Sequence, residues 1–246
     1  MKFTIPGIFA LILSILAVAG PLRAGPPTTE EVGDVGSFGH NVLYMGAKSG
    51  FITLSPACTP APTPVPPATA NDDQCFTLLP APTVTNFDAE DILRIKLPRR
   101  ATRTIIYPAL NFFIDYQLQN TTGVFQSQGL FAFTARVTIE SDVLLDPSII
   151  DPQTGLPANG KLVGQFSYAF RDDRSMDVND RQRLHETLVR VGNAGISKSQ
   201  LVGQGLSPAV VDDLFQSAMT VRMSVTGNAR LVTDASVTCN MRLFGD

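Results

Sequence analysis

Residues 110–139 read LNFFIDYQLQNTTGVFQSQGLFAFTARVTI and carry the clearest fold signal of the chain. Apolar side chains alternate with polar ones on both sides of Asn120-Thr121-Thr122-Gly123, a composition typical of a turn. This period of two predicts two long strands, Leu110–Leu118 and Val124–Ile139, each with one buried face. The turn between them predicts that the two strands pair as a hairpin.

The same period recurs along much of the chain. It predicts further strands at 37–45, 50–54, 76–79, 92–97, 161–170, 219–225 and 229–243, with a break at 46–49 and a hairpin turn at 226–228. We therefore expect a two-layer, mostly antiparallel β-sandwich of about eight or nine strands. Its core is predicted to contain Phe112, Ile114, Leu118, Phe131, Phe133, Val137, Phe166, Phe170, Val221, Val225 and Val237.

Residues 172–218 show a period of three to four instead, which predicts a helical insert. One helix is expected at Asp180–Val191, with Leu184 and Leu188 on one face. A second follows the Ser-x-x-Gln capping box at Ser197, and a third opens at Ser207-Pro208 and runs to Ala218. The alternative fold is an α+β domain in which Leu184, Leu188, Leu214 and Phe215 pack these helices across one sheet.

The first residues have the layout of a secretory signal peptide: Lys2, an apolar run over residues 5–19, and then small residues. Cleavage is expected after Ala24, with Ala19 as the alternative; an uncleaved membrane anchor is the competing interpretation. The predicted organisation is thus a signal peptide (1–24), a flexible lead-in (25–36) and a single β-rich domain (37–246). The predicted location is periplasmic, cell-surface or extracellular, with no membrane span left after processing.

An oxidising compartment permits disulfides, and the chain has three cysteines. Cys58 and Cys75 bracket a Pro-rich loop (59–74), so we prefer this pair among the three possible pairings. Closing the loop adds about 3 kcal/mol by the chain-entropy estimate. Cys239 lies in an alternating run and is expected to be a small buried apolar residue. Zinc is not expected, because the chain has no CxxC or HxxxH spacing.

Charge argues against nucleic acid as a partner. Removing the signal peptide takes away Lys2 and Arg23 and no acid, so the formal net charge moves from −3 to −5. The one local basic cluster, Arg99, Arg100 and Arg103, is interpreted as a solvated strand edge.

The candidate catalytic and ligand-binding residues are few. The only histidines are His40 and His185, and neither lies near a nucleophile motif; His185 is expected to face solvent on its helix. The acidic segment from Asp172 to Asp180 is interpreted as a helix start, with a calcium loop as the alternative. Without Trp the chain lacks the usual sugar-stacking side chain, and Asn120 begins an N-glycosylation sequon.

No catalytic residue, cofactor or metal ligand is assigned from the sequence. The expected function is that of an exported, non-catalytic structural or recognition module of the cell envelope or surface, with a protein or envelope component as partner. The oligomeric state is left open. The Pro-rich loop and the insert are the expected recognition surfaces. The alternative is an exported hydrolase that draws on His185 with Asp177, or on His40.

Overall fold

The computed structural model describes residues 31–32, 44–58, 72–191 and 195–246, and shows a β-sandwich with a small helical insert, as predicted. The signal peptide, His40 and most of the lead-in lie outside these residues. Eleven strands are described, and nine of them have at least five residues. They are β1 (Glu31–Val32), β2 (Gly46–Ser55), β3 (Asp73–Thr77), β4 (Thr85–Leu97), β5 (Ile105–Gln119), β6 (Gln126–Glu140), β7 (Lys161–Met176), β8 (Arg181–Val191), β9 (Ile196–Ser197), β10 (Met219–Arg230) and β11 (Val232–Gly245). The helices are α1 (Lys198–Gly203), α2 (Pro208–Gln216) and a 3-10 turn at Asp142–Leu145.

The strands form two sheets. Sheet A has the order β1-β4-β10-β6-β7, and sheet B has the order β3-β2-β11-β5-β8, with β9 paired to β5. All strand pairs are antiparallel except β1 with β4 and β2 with β3. The predicted core residues are buried, apart from Phe166 and Phe170, which are partly buried.

The predicted central hairpin is wrong. Strand β5 pairs with β8 and β11 in sheet B, whereas β6 pairs with β7 and β10 in sheet A. The turn at residues 120–125 therefore carries the chain from one sheet to the other. The apolar faces of β5 and β6 meet across the core, where the rings of Phe112 and Phe133 lie 5.3 Å apart. Alternation shows that a strand has one buried face, but not whether its neighbour in sequence lies beside it or opposite it.

The predicted hairpin turn at 226–228 is also wrong, because these residues lie inside β10. The chain changes sheet at Leu231, which has a φ of 60°. Gly227 faces the core, and a Cβ there would overlap the Phe87 ring and the Ala132 carbonyl oxygen. Since Phe87 and Ala132 lie on the two neighbouring strands, this glycine serves close packing within sheet A and not a turn.

The insert is smaller than predicted, since 181–191 is the strand β8 and not a helix. Leu184 and Leu188 are four residues apart, a spacing that both a helix and a strand place on one face. The two later helices are confirmed: Ser197 Oγ accepts a hydrogen bond from the Gln200 N–H (3.1 Å), and Pro208 opens α2. Helix α2 contacts α1 and the 3-10 turn. Leu184 and Leu188, which the α+β alternative placed on an insert helix, lie on strand β8 instead.

Near the N-terminal side, β2 is one strand from Gly46 to Ser55, so the predicted break at 46–49 is wrong. Of the predicted strand at 37–45, residues 37–43 lie outside the described part. The predicted Pro-rich loop (59–74) runs two residues too far, because β3 begins at Asp73. Its residues 59–71 are likewise not described.

The disulfide between Cys58 and Cys75 is present, with the two Cα atoms 5.6 Å apart. Cys239 is a free, buried thiol, and burial raises its pKa to about 12. Both cysteine predictions are therefore confirmed. Because the protonated thiol is held in apolar surroundings, Cys239 behaves as a packing residue.

Candidate functional site: the outer face of sheet B

The outer face of sheet B carries exposed aromatic rings. Alternation along β2 and β5 turns Ile52 and Phe112 into the core and Phe51 and Phe113 outward. Both outward rings are half exposed, at 51% for Phe51 and 50% for Phe113. Thr238 of β11 pairs with Phe51 on one side and with Phe113 on the other. The two rings therefore flank one strand, about 10 Å apart by the spacing of strands in a sheet.

Polar side chains without charge lie next to these rings. The adjacent row of outward residues on β2, β11 and β5 is Ser49, Asn240 and Asn111. The Ser49 hydroxyl donates to Asn240 Oδ1 at 2.6 Å, which fixes the orientation of that amide. Asn111 Oδ1 is covered, yet it accepts no hydrogen bond from the described part of the chain. The rows of Phe51 and Ser49 together form what we call the aromatic face.

Further rings lie on the same side of sheet B, nearer the end of β11. Phe244 pairs with Tyr107, and its ring contacts that of Tyr44 at a centroid distance of 6.1 Å. Phe244 is six residues from Thr238, about 20 Å along the strand. Arg242 lies between the two groups of rings and faces outward.

The base of the Pro-rich excursion lies beside the aromatic face. Cys75 pairs with Thr53 of β2, two residues from Phe51. On the other side of the excursion, the Asp72 carbonyl accepts a hydrogen bond from the Phe51 N–H at 2.6 Å. The disulfide therefore holds both ends of the excursion at the edge of this face.

Sheet A has a different outer face. Its outward residues are charged or small and polar, and no aromatic ring points outward from β4, β6, β7 or β10. Asp91 Oδ2 accepts hydrogen bonds from Arg94 and from Arg222 Nη1 (2.9 Å), and Arg222 also pairs with Glu140 at 2.5 Å. Such internally paired charges keep a sheet face soluble, so the aromatic residues distinguish sheet B.

His185 lies at the far edge of sheet B, on the strand β8. Its Nδ1 is 2.7 Å from Asp115 Oδ2, and the other carboxylate oxygen accepts from Arg183 at 2.5 Å. The His185 side chain is 69% exposed, as expected, although on a strand and not on a helix. Among the described residues no hydroxyl or thiol bonds to it.

The acidic segment starts no helix, which corrects the sequence interpretation. Asp172 lies on β7 and faces the space between the sheets, where it accepts hydrogen bonds from the buried Tyr116 hydroxyl and from Arg174 Nε (2.7 Å). Burial, together with the bond to Asp172, raises the pKa of Tyr116 above its usual range. Asp177 and Asp180 lie at the turn between β7 and β8. In the described part of the chain no three His, Cys, Asp or Glu residues group as metal ligands.

The prediction that the basic cluster lies on a strand edge is wrong. Arg99, Arg100 and Arg103 lie in the loop between β4 and β5. Arg100 and Arg103 line a pocket of about 340 Å³ together with Lys198 and Asp246. The Asp246 carboxylate accepts hydrogen bonds from the backbone N–H of Thr104 (2.9 Å) and Ile105 (3.2 Å), among others. These backbone donors of the loop are therefore already bound to a carboxylate of the chain itself.

Asn120 is completely buried, so its side chain is not accessible for glycan attachment in the folded protein. Its amide nitrogen donates to the carbonyls of Val124 (2.7 Å), Met176 (3.2 Å) and Asp177 (3.0 Å). Its Oδ1 accepts from the Thr122 backbone and hydroxyl. Asn120 therefore ties together two connections between the sheets, and its role is structural.

No protein-family model, no curated protein and no solved structure matches the chain. None of the helices in the described ranges is long and apolar enough to span a bilayer. Function therefore has to be inferred from the chain's own surfaces.

Sequence reasoning missed the aromatic face. Assigning Phe112 and Ile114 to the core already placed Phe113 outward, so one of the two exposed rings could be predicted from the alternation. Phe51, Phe113 and Thr238 lie far apart in sequence, however, and only the order of strands in sheet B brings them together.

Proposed function

We propose that the chain is an exported, non-catalytic recognition module of the cell envelope or surface, and that the aromatic face is its binding surface. The observation that carries this proposal is the pair of half-exposed rings, Phe51 and Phe113, one on each side of Thr238. Single exposed apolar residues are normal on protein surfaces, but aligned rings on an otherwise polar sheet favour binding.

The face is suited to recognition because it is rigid. Strands β2 and β5 are both held by β11 along nearly their whole length, so the two rings keep their separation without a ligand. A binding surface that is already ordered loses little conformational entropy when the ligand binds. The recognition site is therefore proposed on the sheet, with the ends of the Pro-rich excursion at its border.

Export is supported by two independent features. The first residues have the layout of a signal peptide, and the disulfide between Cys58 and Cys75 is typical of an oxidising compartment. Both features suit the periplasm, the cell surface or the extracellular space, and an envelope component is then the accessible partner.

A pull-down from envelope extract tests the proposal. The immobilised exported chain is compared with the double variant Phe51→Ser and Phe113→Ser, which removes both rings from the face. The matched control is Phe125→Ser, since Phe125 is equally exposed, at 57%, but lies on the connection between the sheets. We expect the wild type and the control to retain the same envelope component, and the double variant to lose it.

Equal retention by all three proteins would refute the role of the aromatic face. A further variant replaces residues 59–71 with a Gly/Ser linker of equal length and keeps Cys58 and Cys75. Loss of retention in this variant alone would move the site from the sheet to the Pro-rich excursion, against the proposal.

An exported hydrolase is the second candidate, and the contact between His185 and Asp115 is the observation that favours it. The exchange His185→Ala tests it, with turnover of ester and glycoside chromogenic substrates as the readout. We expect no turnover by either protein; hydrolysis that His185→Ala abolishes would overturn the non-catalytic proposal.

A further inference from the structure

We propose that the aromatic face binds a neutral polysaccharide chain, with sugar rings stacked on Phe51 and Phe113 and sugar hydroxyls bonded to the polar side chains around them. This inference rests on the proposed recognition function and specifies its ligand. It follows from three properties of the face: the spacing of its rings, the chemistry of its polar groups, and the low charge between the rings.

The first property is the ring spacing. A sugar ring presents C–H groups on its faces and hydroxyls around its rim, so an aromatic ring matches the face and amides or hydroxyls match the rim. Two rings about 10 Å apart, with one strand between them, can hold alternate sugars of one extended chain, with the intervening sugar over Thr238. A chain bound in this way crosses β11 from β2 to β5.

The second property is the set of polar groups between and beside the rings. Hydroxyls and amides both donate and accept hydrogen bonds, as sugar hydroxyls do. The bond from Ser49 occupies the oxygen of Asn240 and leaves its amide nitrogen to donate, since none of the hydrogen bonds in the described ranges uses that nitrogen. The oxygen of Asn111 is covered and is not available to a ligand. The face therefore offers an amide donor that is already oriented, beside the hydroxyls of Ser49 and Thr238.

The third property is the low charge between the rings. Across β2, β11, β5 and β8, the rows of Phe51 and Ser49 contain no ionisable side chain. On the edge strand β3, Asp73 pairs directly with Phe51, while Asp115 is two residues from Phe113 and Arg242 is two residues from Asn240. An anionic chain would meet the two carboxylates, and the exported protein is itself acidic. A neutral chain meets no repulsion, so charge complementarity favours it.

The shape of the face selects among neutral ligands. The face is a sheet surface and not a concave pocket, whereas small molecules are usually bound in pockets that bury most of their surface. A protein partner would favour a continuous apolar centre, but here Thr238 separates the two rings. An extended polymer gains from repeated weak contacts along such a surface.

Affinity electrophoresis in native gels tests the inference. The gels contain hydroxyethyl cellulose, galactomannan or dextran as neutral polymers, or alginate as an anionic one. We expect at least one neutral polymer to retard the wild type and the control Phe125→Ser. Replacing one ring, in Phe51→Ser or Phe113→Ser, should weaken the apparent Kd about tenfold, the ratio that corresponds to one stacking contact.

The exchange Phe113→Leu separates stacking from general hydrophobic contact, because leucine keeps an apolar side chain but has no ring. Phe113→Tyr keeps the ring and should restore retardation. Circular dichroism and Tm establish that each variant is folded, and substitutions at half-exposed positions on a long sheet are expected to preserve the fold.

The inference is overturned if none of the three neutral polymers retards the wild type, if only alginate does, or if the Phe51 and Phe113 variants migrate like the wild type. It is also overturned if sedimentation shows a dimer that Phe113→Ser dissociates, because a second copy would then cover the face. If the gels fail while the pull-down still depends on the two rings, the recognition function stands and its ligand is not a neutral glycan.

Discussion

Replacing Asn120 with Ala tests whether one buried amide holds the end of the sandwich together. The exchange removes the contacts of two amide hydrogens with three carbonyl oxygens, of which those of Met176 and Asp177 lie at the end of β7. It also removes two hydrogen bonds accepted from Thr122 within the turn. Each bond contributes about 1 kcal/mol net, and more where a buried group loses its partner. Val124 and Thr122 lie near solvent, so water can replace part of the loss at these groups.

The expected cost is therefore about 2–4 kcal/mol of unfolding free energy. For a domain of about 200 residues this lowers Tm by about 5–15 °C. Thermal unfolding followed by circular dichroism measures the effect, and urea unfolding gives the free energy. Thr121→Ala is the matched control, because Thr121 is exposed in the same turn and should change Tm little. A loss below about 1 kcal/mol for Asn120→Ala would contradict the structural role assigned to this amide.

Three further outcomes follow from other parts of the fold. Gly227→Ala should lower the unfolding free energy by about 1–3 kcal/mol or more, because the new Cβ would overlap the Phe87 ring and a backbone oxygen. The Tm measures this effect, and an unchanged Tm would contradict the close packing. Hydrogen bonds from the loop at residues 102–105 outweigh the effect of burial and hold the pKa of Asp246 well below its usual range. The stabilisation is thus present above about pH 4 and is lost as the pH falls further. Asp246→Asn should therefore lower Tm by a few degrees at pH 7, and the difference in Tm from the wild type should shrink in acid. A difference in Tm that stays constant with pH would refute this. Reducing the disulfide should cost about 3 kcal/mol, so dithiothreitol should lower the Tm of the wild type but not that of Cys58→Ser with Cys75→Ser.

Local chemistry was predicted well where it depends on neighbours in sequence. The caps at Ser197 and Ser207 are side-chain bonds to N–H groups three residues away, so the sequence contains both partners. The pair Cys58 and Cys75 brackets a segment too rich in Pro for regular structure, and no long-range information was needed to prefer it. The assignment of Asp180–Val191 to a helix failed because Leu184 and Leu188 satisfy both periods, and only the ladder with β5 makes this segment a strand.

The sequence by itself determined the class of structure. Alternation makes strands with one apolar face, and such strands are stable only when a second layer, here another sheet, buries that face. It also determined the identity of most core residues, because the apolar positions of each alternating segment are the ones that face inward.

The tertiary structure alone decided which strands are neighbours, and thereby the candidate site. A turn such as Asn120-Thr121-Thr122-Gly123 can join two strands within a sheet or pass the chain to the opposite sheet, and the choice depends on contacts between distant residues. The aromatic face exists because β11 lies between β2 and β5 and brings Phe51 and Phe113 to its two sides. Pairing over such sequence separations is set by the packing of the whole core, and no local pattern encodes it.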